Sequence, residues 1–233
     1  MKKATPGKQG LKIVGHRGVR GLAPEHTVIA INKALEAKVD EIEVDVRITK
    51  DGVLILHHDP TCQDASGNKL VVREASFDEL LRHKPDLITL EQAIELINRQ
   101  VPLQIEIKAG EPVEPTASII KQYLKRGWHK SDFLIGSKSQ RNLLEAQRLL
   151  PDIEKVVIEA CFSVIAVHRA RQLGATRLSM QEHWLWSGFI RAMSHRGYQL
   201  YAYPLNDPQK AKRWHSHGLA GTITDFPDRF DTV

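Results

Sequence analysis

No five consecutive residues of this 233-residue chain carry the same charge, and only two cysteines are present. The missing charge block argues against an electrostatic arm for nucleic acid. The formal net charge is +5 and the pI about 9.2, but the basic residues are dispersed. Lys121, Lys125, Arg126 and Lys130 read as one solvated helix face, while Arg169, Arg171, Arg196 and Lys212 fall on other helices. Such a surplus gives a mild pull on anionic small molecules rather than a nucleic-acid surface. Cys62 and Cys161 lie far apart, form no metal-like pair and read as ordinary thiols, compatible with a reducing compartment. Long apolar runs are missing too. The longest, Val156–Val167, contains Glu159 and is too short to span a bilayer. Met1–Gly10 carries Lys2, Lys3 and Lys8, with no apolar stretch behind them of the kind an export signal needs. The expectation is a cytoplasmic protein without stable membrane insertion, without a nucleic-acid partner, and without internal repeats or low-complexity tracts.

What is present is a regular alternation. Strand-like runs occur at Lys12–Gly15, Glu41–Arg47, Val53–His57, Leu103–Ile107, Phe133–Gly136, Lys155–Glu159, Arg177–Met180, Gln199–Tyr203 and Gly221–Thr224. Helix-like stretches separate most of them: Thr27–Lys38, Leu90–Asn98 behind an N-cap at Thr89, Thr116–Arg126, Ser139–Leu149, Cys161–Leu173, Ser187–His195 and Pro208–His217. Gly127, Gly174, Gly197 and Gly218 follow four of these, where helix C-caps take positive φ. Such β-then-α order specifies a parallel sheet. Nine strands are one too many for an eight-stranded barrel, but Glu41–Arg47 and Val53–His58 have no helix between them. Asp51-Gly52 reads as a two-residue hairpin turn, so the second run is an antiparallel extension of a barrel strand. Eight βα units remain, and the expected fold is α/β, a TIM-type (β/α)8 barrel forming a single domain over 1–233. The polar segment 60–88, with a short helix around Phe77–His83, is expected as a small insertion over the C-terminal rim.

That hairpin register pairs Lys50 with Val53 and Asp45 with His58. His58 would then share a face with Asp45 and Glu43, and His57 would point away. A slip of one residue would reverse the choice.

The residues able to carry chemistry sit at strand ends. Glu43 and Asp45 are two apart on a strand and share a face. Paired carboxylates on an apolar strand repel and resist burial, and a hard divalent cation, Mg²⁺ or Ca²⁺, removes both costs. A plainer alternative is a solvated strand edge with Glu41 also facing out, or neutralisation by Arg47. Gln104, Glu106 and Lys108 share a face, so Glu106 is a candidate third ligand and Lys108 a charge for a phosphate oxygen; a simple Glu/Lys ion pair is the alternative. His16 and Arg17 close the first strand between Gly15 and Gly18, and Arg17 suits bidentate phosphate binding. His16 and His58 differ from the other histidines in ending strands beside charged residues, where imidazole serves as acid or base. In barrels of this kind the active site lies at the C-terminal ends of the strands.

The text Gly-His-Arg-Gly at 15–18, Pro-Glu-His-Thr at 24–27, Glu-Ile-Glu-Val-Asp-Val at 41–46, Thr-Lys-Asp-Gly at 49–52, His-Asp at 58–59, Thr-Leu-Glu at 89–91, Glu-Ile-Lys at 106–108 and Thr-Asp-Phe-Pro at 224–227 resembles the glycerophosphodiester phosphodiesterase family. The resemblance implies a metal-dependent hydrolase that converts a small-molecule glycerophosphodiester and water to an alcohol and glycerol 3-phosphate. It implies His16 and His58 as the acid/base pair, Glu43, Asp45 and Glu106 as ligands of one divalent cation, and Arg17 and Lys108 as phosphate-binding groups. Three positions depart from the family pattern: His26 stands for a usual Asn, Lys138 for an aromatic after Ser137, and Tyr203 for a late-strand Trp. Two alternatives remain: a lysophospholipase D-like or other lipid phosphodiesterase, and a non-catalytic binding barrel. The second predicts loss of a ligand or histidine, and the sequence shows none.

Overall fold

The alternation builds a closed ring. A computed structural model describes residues 10–161 and 163–230. The strands are β1 (Lys12–His16), β2 (Glu41–Ile48), β3 (Leu54–Leu56), β4 (Thr61–Gln63), β5 (Lys69–Val71), β6 (Leu103–Ile107), β7 (Phe133–Ser137), β8 (Glu154–Glu159), β9 (Arg177–Gln181), β10 (Gln199–Tyr203) and β11 (Gly221–Thr224). The helices are α1 (Val28–Glu36), α2 (Phe77–His83), α3 (Leu90–Ile97), α4 (Glu114–Lys125), α5 (Gln140–Leu149), α6 (Ser163–Leu173), α7 (Ser187–His195) and α8 (Pro208–His215). The ring runs β1-β2-β6-β7-β8-β9-β10-β11 and closes because β1 pairs in parallel with both β2 and β11. The fold is the expected eight-stranded parallel barrel wrapped by helices.

Period-two alternation decides what each strand presents. On β2, Ile42, Val44 and Val46 enter the layer between barrel and helices, packing with Ile31, Ile94 and Ile105 among others. A second such layer gathers Leu178, Met180, Leu200 and Ala202 under α6, α7 and α8. The opposite face of β2 places Glu41, Glu43 and Asp45 inside the barrel. Glu41 therefore does not face solvent, as a solvated edge would require. It meets Arg177 at 2.8 Å across the barrel floor, and the Arg177 guanidinium stacks 3.8 Å over the Tyr201 ring. Above them Val14, Tyr201 and Ile223 pack together, as do Leu134, Val156 and Ile158.

β3 is antiparallel to β2, but the register differs from expectation by one residue: Val46 pairs with Leu56, Arg47 with Ile55 and Ile48 with Leu54. Thr49 N donates to Val53 O at 2.9 Å, and Gly52 N to Thr49 O at 3.1 Å. The loop is therefore three residues, 50–52, with Gly52 left-handed at φ 86. The cause is the Asp51 carboxylate. It accepts from Thr49 Oγ1 at 2.5 Å and from the Phe77 backbone N at 3.0 Å, which ties the turn to the start of α2.

Segment 60–88 holds β4, β5 and α2 around a small core of Cys62, Val72, Ala75, Leu80 and Leu87 that packs on Ile55. α4 begins at Glu114, ahead of the expected Thr116, because Pro115 fits a first helical turn, where its missing N–H costs nothing. Of the expected helix Cys161–Leu173, Phe162 lies outside the described residues, as do most of Met1–Gly10.

Candidate active site

The C-terminal ends of the strands surround an open cavity of about 340 Å³. Its lining includes His16, Arg17, Glu43, Asp45, His58, Glu106 and Lys108, so the structure brings all seven sequence-identified candidates into one space.

The segment after β1 is held by close backbone approach. A Cβ on Gly15 would lie 2.3 Å from the Gly18 carbonyl oxygen, so only glycine fits there. Arg17, at φ 53, turns its backbone N onto Glu43 Oε2 at 3.0 Å. Its guanidinium forks onto both Glu25 oxygens at 3.0 and 2.9 Å, and Nε lies 3.2 Å from Asp45 Oδ2. That last contact is an ion pair by distance but too poorly aligned for a hydrogen bond, which leaves Nε without a hydrogen-bond partner.

Glu43, Asp45 and Glu106 are all buried, with one oxygen of each within 4.8 Å of the others. β2 and β6 align them, since Asp45 pairs in register with Glu106 and Glu43 with Gln104. Lys108 Nζ reaches Asp45 Oδ1 at 2.5 Å and Glu106 Oε1 at 2.8 Å, so the simple Glu/Lys ion pair considered from sequence is present within the larger cluster. Arg47 does not neutralise the pair. It bonds Glu111 and the His58 carbonyl oxygen, each at 2.9 Å.

The two β2 carboxylates are poised oppositely. Burial raises the pKa of both, but for Asp45 the hydrogen bond from His26 and the charges of Lys108 and Arg17 prevail and hold it well below the usual carboxylate range. Glu43 has no cation at ion-pair distance among the described residues. Burial, then the charges of Asp45 and Glu106, push it well above the usual range. A buried carboxylate facing two others without its own counter-ion fits a hard divalent cation, and the all-oxygen donor set suits Mg²⁺ or Ca²⁺.

The histidines are both oriented by carboxylates. His16 Nδ1 lies 2.6 Å from Asp225 Oδ1, and Asp225 is also held by Arg20 at 3.0 Å and Asn206 at 2.9 Å. His58 Nδ1 lies 2.7 Å from Asp59. Burial and then the positive charge of Lys108 lower the pKa of His58. His58 reaches the cavity although the hairpin register puts Asp45 opposite His57. β3 stops at Leu56; His57 N still donates to Asp45 O at 3.0 Å, and the bend that begins at 58 turns His58 out of strand alternation. His57 turns to the Thr61 carbonyl oxygen at 3.0 Å.

Sequence reasoning assigned no role in the site to four residues. Asp225 orients His16 from the end of β11. His26 Nε2 lies 3.0 Å from Asp45 Oδ2 at φ 61. Gln104 and Ser179 line the cavity floor with side-chain polar atoms that have no protein partner. Segment 60–88 contributes no lining residue. Lys138 and Tyr203 line the cavity on its other side.

A closed parallel barrel with acids, imidazoles and cations converging at its C-terminal mouth has the architecture of a barrel enzyme with its active site at that rim. The family model described as Glycerophosphoryl diester phosphodiesterase matches residues 16–229, and the chain belongs to this family of phosphodiesterases. A glycerophosphodiester phosphodiesterase of Bacillus altitudinis is 26% identical, over 94% of this chain and 96% of its own length. One from Caldanaerobacter subterraneus is 25% identical, over 93% and 94%. An Oleispira antarctica phosphodiesterase, solved in complex with the product sn-glycerol-3-phosphate, superposes with a TM-score of 0.80 at 21% identity, covering 95% of each chain.

Proposed function

We propose that this chain hydrolyses glycerophosphodiesters to an alcohol and glycerol 3-phosphate, with one divalent cation held by Glu43, Asp45 and Glu106. The observation that carries the reading is Glu43, a buried carboxylate against two others with no cation of its own, facing two carboxylate-oriented histidines in one cavity. When bound, the cation would supply Lewis-acid polarisation of a phosphoryl oxygen and lower the pKa of the attacking water.

The protein's own groups do the rest. Lys108 and Arg17 sit against the triad and can turn from their carboxylate partners to the phosphate oxygens, which offsets charge that the diester brings. His16 and His58 each have Nδ1 engaged by a carboxylate, which leaves Nε2 to take or give a proton. One imidazole accepts a proton from the attacking water, whose oxygen joins phosphorus, and the other donates one to the departing alkoxide, which leaves as the alcohol. A depressed pKa keeps His58 neutral at neutral pH, the form a base needs. Asp225 fixes the tautomer and ring angle of His16, as an orienting carboxylate does in a catalytic triad.

Glycerophosphoglycerol, whose alcohol is neutral, tests the reading by ³¹P NMR. Wild-type protein with Mg²⁺ or Ca²⁺ is expected to yield glycerol 3-phosphate, and His58→Ala to lose at least ~10²-fold in kcat. Folded wild type without turnover, or a His58→Ala variant with full rate, contradicts it.

A lipid substrate has one observation in its favour. Val164, Ile165, Trp184 and Trp186 are exposed on segments that follow the C-terminal ends of the adjacent strands β8 and β9. Faster hydrolysis of micellar lysophospholipid than of glycerophosphoglycerol would favour the lipid reading. No helix among the described residues is long and apolar enough to cross a membrane.

A further inference from the structure

The barrel divides the cavity in two. The triad, Arg17 and Lys108 come from the neighbouring strands β1, β2 and β6, while Lys138, Ile158, Ser179 and Tyr203 come from β7, β8, β9 and β10 opposite. The phosphate belongs with the first group. The two substituents on phosphorus must therefore use the second half and the mouth. Glycerol is small and neutral, and Gln104 and Ser179 line the floor on that side. With glycerol on the floor, the remaining alcohol would lie toward the mouth, where Lys138 stands.

Lys138 differs from the other cations of this site. Arg17 is spoken for by Glu25 and Asp45, and Lys108 by Asp45 and Glu106. Lys138 is exposed at the rim and has no carboxylate at ion-pair distance among the described residues. Its Nζ lies 5.8 Å from the centroid of the Tyr203 ring, the one Phe, Tyr or Trp ring lining the cavity among the described residues. Recognition of a quaternary ammonium uses open aromatic faces. Here an ammonium already lies over that face and would repel a second cation.

We infer that Lys138 is a specificity residue, and that the enzyme prefers glycerophosphodiesters whose alcohol carries a negative charge, such as a phosphorylated polyol, over those with a cationic alcohol such as choline. This rests on the phosphodiesterase reading of the same site. An anionic alcohol gains from Lys138 what a cationic one loses, and one unit charge through solvent at this range separates the two by about tenfold in kcat/KM.

The test compares kcat/KM of the metal-loaded enzyme on glycerophosphoinositol 4-phosphate, glycerophosphoinositol and glycerophosphocholine at low ionic strength, for wild type, Lys138→Gln and Lys138→Arg. The wild type is expected to rank them in that order. Lys138→Gln is expected to shrink the ratio of first to last by about tenfold, while Lys138→Arg keeps it and added salt compresses it. Lys138 is exposed, so neither variant endangers the fold. A wild type that turns over the choline diester as well as the phosphorylated one overturns the inference, as does a ratio that Lys138→Gln leaves unchanged. Hydrolysis of all three without rank overturns the inference alone. Hydrolysis of none overturns the phosphodiesterase reading, and the inference with it.

Discussion

His26 occupies a left-handed backbone conformation, φ 61, that costs a non-glycine residue free energy, and its ring is buried against Asp45. The contact fixes the orientation of a proposed metal ligand. His26→Leu is expected to lose about 10–100-fold in metal affinity, measured by calorimetric titration of the cation. It should also lose ~1–3 kcal/mol of stability as Asp45 gives up a buried partner. His26→Asn keeps a polar group and suits the left-handed region, so it should lose less; equal losses for both would contradict this role. The pH profile reports on His58. Its pKa lies below the ordinary 6.5, so the neutral form persists on acidification until pH falls through that lowered value. The acid limb of kcat/KM should therefore lie below pH 6.5, and a limb above it would rule His58 out as the base. At this scale the sequence revealed strand-end groups well, because two-residue spacing on Glu-Val-Asp and Glu-Ile-Lys sets their common face. It concealed orienting partners. Asp225 is 209 residues from His16, and only closure of β11 onto β1 joins them. The strand-end logic that found His16 applies equally to Asp225.

Elements were legible where local signals suffice. The helix Phe77–His83 was expected from its pattern, and its Ser76 cap and Glu79 form a capping box. The β2–β3 turn was misread because Asp51 answers to Phe77, 26 residues away, rather than to a two-residue turn. The three-residue loop makes a testable demand on Gly52. Its φ of 86 is strained for any L side chain, although a Cβ would meet nothing within 4 Å. Gly52→Ala is expected to destabilise by ~1–2 kcal/mol in urea unfolding. The kcat/KM should hold, because Gly52 does not line the cavity. An unchanged unfolding midpoint would mean the turn is not as described.

Across the whole molecule, ring closure decides both fold and site. Eight βα units could be counted from sequence once the helix-free gap at 48–53 was assigned to a hairpin. The polar interior could not be read that way. A solvated Glu41 was one alternative open from sequence, yet Glu41 pairs with Arg177 136 residues later inside the barrel, where burial pushes its carboxyl up to about 7. Apolar alternation along β2 gives the same pattern whether its polar face meets water or the barrel interior, so only closure separates the two. Closure also concentrates Glu43, Asp45 and Glu106 in one buried space, and the account of function depends on what occupies them. The most direct test is release of glycerol 3-phosphate from glycerophosphoglycerol by chelator-stripped protein, before and after Mg²⁺ or Ca²⁺ is restored, beside Glu43→Gln. The expected result is no release from stripped protein, recovery with the cation, and a loss of more than about 100-fold in Glu43→Gln at the same cation concentration. Full activity in the stripped wild type, or in Glu43→Gln, would contradict the account.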